Sequence, residues 1–287
     1  MSYTLQDYQQ IQTLFVLPDS VMEIISTLSA KFGVAQFIES KPKRHQRGTD
    51  SWKTDFKPTV VLGKIGDKMN EMRVSLNKLS VKNYEMTSEF IVNKMKELNS
   101  EEIQSFMTIF MDVISTNKMF SSLYSKIYKK VVEDFPDIFS QTLDSILKTY
   151  SDSISNIRWV DQKDNYDEFC KNNKENDKRK TIAAFITQLY EAGLVRADTI
   201  FSITDSFFTF VREYSKEENK IYEVEEITEN IYVLLTQQKE LLMNIPKIIY
   251  EKIVELSQKK AKEDPSISSR AIFKYIDIIE KIDSNRG

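Results

Sequence analysis

The stretch MNEMRVSLNKLS, residues 69–80, decides the reading of the fold. Ile65, Met69, Met72, Leu76 and Leu79 recur at steps of four and three, which places one apolar stripe along a helix. Arg73, Asn77 and Lys78 fall on the polar face and toward the end of that helix, where unpaired carbonyls favour a cation. The segment SWKTDFKP, residues 51–58, precedes it, and a long run of further helical stripes follows.

Working outward from this helix of about 60–79, the spacing predicts a second over about 83–98, with Tyr84, Ile91, Met95 and Leu98 inward. Ser100 can cap a third, whose stripe is Ile103, Phe106, Met107, Phe110, Val113 and Ile114. A fourth covers about 118–134, and Pro136 suits the first turn of a fifth that runs to about 158. Residues 161–180, DQKDNYDEFCKNNKENDKRK, break the apolar rhythm and read as a charged, mobile loop. The pattern resumes at Ile182 and can be closed by Gly193. Further helices are predicted over about 197–214, unusually aromatic, over about 220–240, from Pro246 to about 262, and after the DPSISS segment at 264–269.

Ten helices with short links make about five antiparallel pairs, repeating at roughly 35–45 residues, the range of a helical-repeat solenoid. The fold expected is all-α, a HEAT-like solenoid rather than an irregular bundle, because short local links make sequential pairs neighbours. Before it lie a loosely held arm at 1–18, a short amphipathic helix over Asp19–Phe32 that Gly33 can end, and the basic linker KPKRHQRG at 41–48. The expected division is therefore 1–49 for arm and linker and 50–283 for the helical domain.

Composition narrows the chemistry. Only six Gly and six Pro are spread over 287 residues, too few for the tight turns of a sheet protein. A net charge of −3 gives no bulk attraction to nucleic acid, so any RNA contact needs a local patch. The one cysteine, Cys170, leaves no internal disulfide and no multi-cysteine metal site. No apolar run approaches the ~20 residues of a membrane span. The one histidine, His45, sits in the basic linker, so Ser–His, Cys–His and multi-histidine arrangements lack material. GKIG at 63–66 has no strand before it and reads as a helix start rather than a phosphate loop. The carboxylates Glu225, Glu226 and Glu229 have the spacing of a solvated helix face. No catalytic activity, metal or cofactor is expected.

SWKTDFKP followed by the RVSLNKLS helix resembles the start of the middle domain of translation initiation factor 4G, the MIF4G domain. IFMDVISTNKMFSSLYSKIYKKV at 109–131 is similar to the second repeat of that family. RKTIAAFITQLYEAGLV at 179–195 resembles its third, and ISSRAIFKYIDIIE at 267–280 its last helix. The segments occur in the family's order over about residues 50–283.

The resemblance implies a crescent of five HEAT-like pairs that binds a DEAD-box RNA helicase of the initiation-factor 4A type. It also implies that both helicase lobes are held in a half-closed arrangement, which accelerates the helicase cycle by a population shift. Carried onto this chain, Trp52 is the aromatic anchor, with Phe56 and Pro58 shaping its segment. Arg73, Asn77 and Lys78 supply polar contacts at the rim of the first repeat, and Ser269 and Arg270 open the last helix. The compact Trp-Lys-Pro of the family is interrupted here, with Thr54–Lys57 between Lys53 and Pro58.

The arm offers Tyr3, Tyr8, Leu14 and Phe15 as a contact for a cap-binding protein of the 4E type, one residue longer than the family spacing. Lys41, Lys43, Arg44, Arg47 and Lys53 form a candidate RNA-backbone cluster. The expectation is a cytoplasmic translation-initiation scaffold, as a fragment or a minimal version. Its alternatives are a MIF4G adaptor in RNA decay or splicing, or a helical-repeat RNA-binding protein.

Overall fold

The structure is a computed structural model that describes residues 66–286 except Lys262, together with Asp19, Val21, Glu23, Ile24 and Thr27. Those five carry helical backbone, inside the helix expected over 19–32, and Val21 and Ile24 are exposed there. From residue 66 onward the described residues form eleven α-helices, three 3-10 turns and no strand.

α1 (Asp67–Asn77) starts after Gly66, whose carbonyl accepts from the amides of Met69 and Asn70 at 2.9 and 3.2 Å. Met69, Met72, Leu76 and Leu79 are all buried, so the stripe read from the sequence is the face that packs. Each such side chain, fully buried, contributes about 1.5–3 kcal/mol. α2 (Tyr84–Lys96) follows a single 3-10 turn at Val81–Asn83. α3 (Ser100–Thr116) is capped by Asn99 and not by Ser100. The Asn99 side chain accepts from the Glu102 amide at 2.9 Å, while Glu102 accepts from the Asn99 amide at 2.9 Å. That reciprocal pair fixes the start one residue earlier than expected.

α4 (Ser121–Asp134) is preceded by a 3-10 turn at Lys118–Phe120. α5 (Pro136–Ser153) has proline in its first turn, as predicted, but ends in a 3-10 turn at Ile154–Asn156.

The charged segment at 161–180 is not a loop. Most of it belongs to α6 (Tyr166–Glu191), the longest helix described, at 26 residues. Asn165 caps it by accepting from the Glu168 amide at 3.0 Å. Ion pairs one turn apart brace it, Lys178 with Glu175 at 3.1 Å and Lys180 with Asp177 at 3.2 Å. Its C-terminus closes as expected at Gly193, where the amides of Gly193 and Leu194 donate to the carbonyls of Tyr190 and Leu189.

α7 (Ala197–Tyr214) buries Phe201, Phe207 and Phe208. The stretch expected as one helix over 220–240 divides into α8 (Ile221–Thr236) and a short α9 (Lys239–Met243). α10 (Lys247–Ser257) stops short of the expected 262, and Pro246 is its N-cap. α11 (Ser269–Arg286) is the last.

Helices α2, α4, α6, α8 and α11 form a continuous series, each packed on the next of that series. On the other side α1 packs on α3, and α7 touches α10. The joints are aromatic. Tyr128 of α4 stands 6.1 Å from Phe110 of α3, 5.2 Å from Phe139 of α5 and 6.2 Å from Phe185 of α6. Its hydroxyl donates to the Phe139 carbonyl at 3.1 Å. Further along, Tyr275 of α11 lies 6.1 Å from Phe208 and shares a 2.8 Å hydrogen bond with Thr228 of α8. Each buried tyrosine thus delivers a large apolar ring and satisfies its hydroxyl at a neighbouring helix.

Candidate functional site

Of the residues expected to meet a helicase, the described ones lie on α1 and its cap and at the start of α11. On α1, Arg73 is partly covered and reaches Asp112 of α3 at 3.9 Å, the outer limit of an ion pair. Asn77 is the last helical residue and is exposed. It does not seal the helix end: Lys78 holds the cap position, and the Asn83 amide group donates to the Lys78 carbonyl at 2.8 Å. The Leu76 carbonyl accepts from the buried Tyr124 hydroxyl at 3.1 Å, which fixes this helix end against α4. Burial pushes that phenol up to about 12. Asn77 and Lys78 are therefore exposed side chains on a rigid support.

At the far end Ser269 is exposed and opens α11. The serine that does the structural work is its neighbour Ser268, whose hydroxyl donates to Glu225 at 2.6 Å and accepts from the Ala271 amide at 3.2 Å. Arg270 is already engaged within the molecule. Its two terminal nitrogens reach Glu225 at 3.3 Å and Glu229 at 3.2 Å on α8. Burial opposes its charge, but the bond to Glu229 and the field of Glu225 outweigh that and hold the guanidinium above its usual value. Lys274 adds a second bond to Glu229 at 3.3 Å and stands over the Tyr232 ring at 4.3 Å. Glu225 and Glu229, expected as a solvated face, are instead mostly covered and hold α11 to α8.

The structure does not bring these two groups together. The packed series α1–α3–α6–α8–α11 separates them. Trp52, Phe56 and Pro58, the RNA candidates Lys41, Lys43, Arg44, Arg47 and Lys53, and the cap-binding candidates Tyr3, Tyr8, Leu14 and Phe15 lie outside the described residues.

Between the two ends is a groove of about 890 Å³ that sequence reading missed. α3 and α5 form its walls, with Gln104, Thr108 and Asp112 on one side and Gln141, Ser145 and Thr149 on the other. Met107, Ile146, Tyr150 and Ile182 supply apolar lining, and Arg179 of α6 borders it. A signal existed: Gln141, Ser145, Thr149 and Ser153 repeat every fourth residue, a polar stripe along one helix face.

Arg179 is locked in place. Its Nε donates to the Ser153 carbonyl at 3.1 Å and its Nη1 to Asn176 at 2.6 Å. Asn176 in turn donates to the Tyr222 hydroxyl of α8. Burial pushes this guanidinium below its usual value, with Glu175 and Glu226 opposing. Such a lining of hydroxyl, amide and thioether groups suits a polar surface laid against it. Among the described residues no group of His, Cys, Asp and Glu stands together that could hold a metal ion. No helix searched among them is long and apolar enough to cross a membrane.

No protein-family model matches the chain, and no curated protein matches it significantly.

Proposed function

We propose that this protein is a translation-initiation scaffold that binds and stimulates a 4A-type DEAD-box RNA helicase, holding its two lobes half closed. The observation that carries the reading is the unbroken series α2, α4, α6, α8 and α11 with a polar patch at either end, Arg73, Asn77 and Lys78 on α1 and Ser269 on α11. In this reading the pairs α1/α2, α3/α4, α5/α6, α7/α8 and α10/α11 are five HEAT-like repeats, and α9 belongs to the link before the last. A stack of repeats resists bending between distant patches, so two lobes gripped at separate points lose freedom relative to each other. The gain comes only from binding one lobe arrangement better than the others. Trp52 supplies an aromatic anchor, and Arg270 contributes at the far patch mainly by holding α11. The scaffold works in the cytoplasm, needs no cofactor and has no catalytic step of its own. RNA and a 4E-type cap-binding protein are further partners through the N-terminal arm.

The test is RNA-dependent ATP turnover by a 4A-type helicase with and without the full chain. Stimulation that falls when Trp52→Ala or Lys78→Glu is introduced supports the proposal. A helicase whose turnover is unchanged at saturating scaffold, with no complex on gel filtration, refutes it.

A further inference from the structure

Where the C-terminal end of α7 meets α10, a cavity of about 430 Å³ is lined by Arg212, Lys216, Lys252 and Lys259, against only two carboxylates, Glu255 and Asp264. We infer that this cavity binds the phosphate group of a small ligand with an apolar or aromatic body, of the size of a nucleoside monophosphate. The inference is independent of the helicase reading.

The four cations are not equivalent. Lys259 is fixed to Asp264 at 2.6 Å with both side chains largely covered, and Lys252 is fixed to Asp205 at 2.5 Å. These two pairs form a neutralised, rigid wall. Arg212 meets Glu255 only at 3.6 Å, with both side chains more than half exposed. Such a pair contributes little in water, so a phosphate can take the place of the carboxylate. The planar guanidinium suits two parallel bonds to phosphate oxygens. Lys216 is exposed and has no ion-pair partner among the described residues. Arg212 and Lys216 are therefore the charges left for a ligand.

A helix C-terminus ordinarily repels an anion. Here the Ser215 carbonyl accepts from the Ser266 amide at 2.9 Å, and the Glu217 carbonyl from the Ser266 hydroxyl at 2.5 Å. The carbonyls of Val211, Glu213 and Tyr214 in the last turn of α7 likewise accept from the amides of Ser215, Lys216 and Glu217, so this helix end is already engaged. Phe208 and Leu256 complete the lining beside the charged groups. Both are almost wholly buried and show only an edge to the cavity, so the apolar surface for a base or ring comes mainly from the aliphatic stems of the lysines, and the volume lies within the usual range of ligand pockets.

Isothermal titration of the full chain at low salt, with AMP, adenosine, pyrophosphate and inorganic phosphate as separate probes, tests this. Binding of AMP and pyrophosphate, with adenosine silent, is expected. Lys216→Glu and Arg212→Glu should each weaken AMP by about tenfold or more, the loss of one charge-assisted contact. Lys82→Glu, an exposed change elsewhere, should leave binding unchanged. A thermal melt checks that each variant is folded. No binding by any probe, adenosine binding as well as AMP, or AMP affinity indifferent to Lys216→Glu would each overturn the inference. Inorganic phosphate binding as tightly as AMP would overturn the part assigned to the apolar lining.

Discussion

Gly193 sits at φ 80°, the left-handed region that costs an L side chain about 1–2 kcal/mol. A methyl group added there meets nothing within 4 Å, so the cost of Gly193→Ala is purely one of backbone conformation. Urea denaturation should show a loss of about 1–2 kcal/mol with the helical circular dichroism of the folded state unchanged. This closure was legible because a glycine followed directly on an apolar stripe. The start of α3 was less so: Asn99 and Ser100 are both good caps, and the choice rests on the return bond from Glu102.

The spacing of Glu226 predicts a place on a solvated helix face, and the structure corrects that. It is buried on α8, and one of its oxygens has no hydrogen-bond donor, although the Lys180 ammonium stands 3.5 Å away. Burial raises its carboxyl above the ordinary value, against the pull of Lys180 and Arg270. The folded chain therefore holds that proton more tightly than the unfolded chain does. Its contribution is complete below the unfolded value of about 4.5 and is lost as pH rises through the folded value. Glu226→Gln should thus be more stable than the parent at pH 7 and indistinguishable from it near pH 4, in denaturation curves at the two values. A variant less stable at pH 7 would show that Lys180 outweighs burial.

At the scale of the element, α6 shows where periodicity stops informing. Its first half packs through polar contacts, Arg179 to Ser153, Asn176 to Arg179 and Tyr222 to Asn173, so no apolar stripe advertises a buried face. The cap at Asn165 and the carboxylates Asp167 and Glu168 were the available signals. Aromatic α7, by contrast, folds over the predicted residues because its stripe is apolar throughout. The joint between α8 and α11 gives a direct test of what Arg270 does. Arg270→Ala leaves Glu225 and Glu229, both mostly covered, with fewer partners. It should cost about 1 kcal/mol of stability by urea denaturation, less in high salt. If stability is unaffected, Arg270 is free to serve a partner surface.

For the whole molecule, helical class and the order of most elements could be read from stripe spacing and the scarcity of Gly and Pro. The series α2, α4, α6, α8 and α11 was not legible, because short links indicate only that sequential helices are neighbours. The groove between α3, α5 and α6 was only half legible: the polar stripe of Gln141, Ser145, Thr149 and Ser153 is visible in the sequence, but that it faces α3 across a groove emerges only on folding. The proposed role demands more than binding, since a scaffold that grips two lobes must change the distance between them. Fluorescence energy transfer between dyes on the two lobes of a 4A-type helicase, without nucleotide and with rising amounts of this protein, measures that distance. A new population between the open and closed values, saturating with complex formation and diminished by Trp52→Ala, is the predicted result. A distance distribution unchanged at saturation would contradict the proposed function.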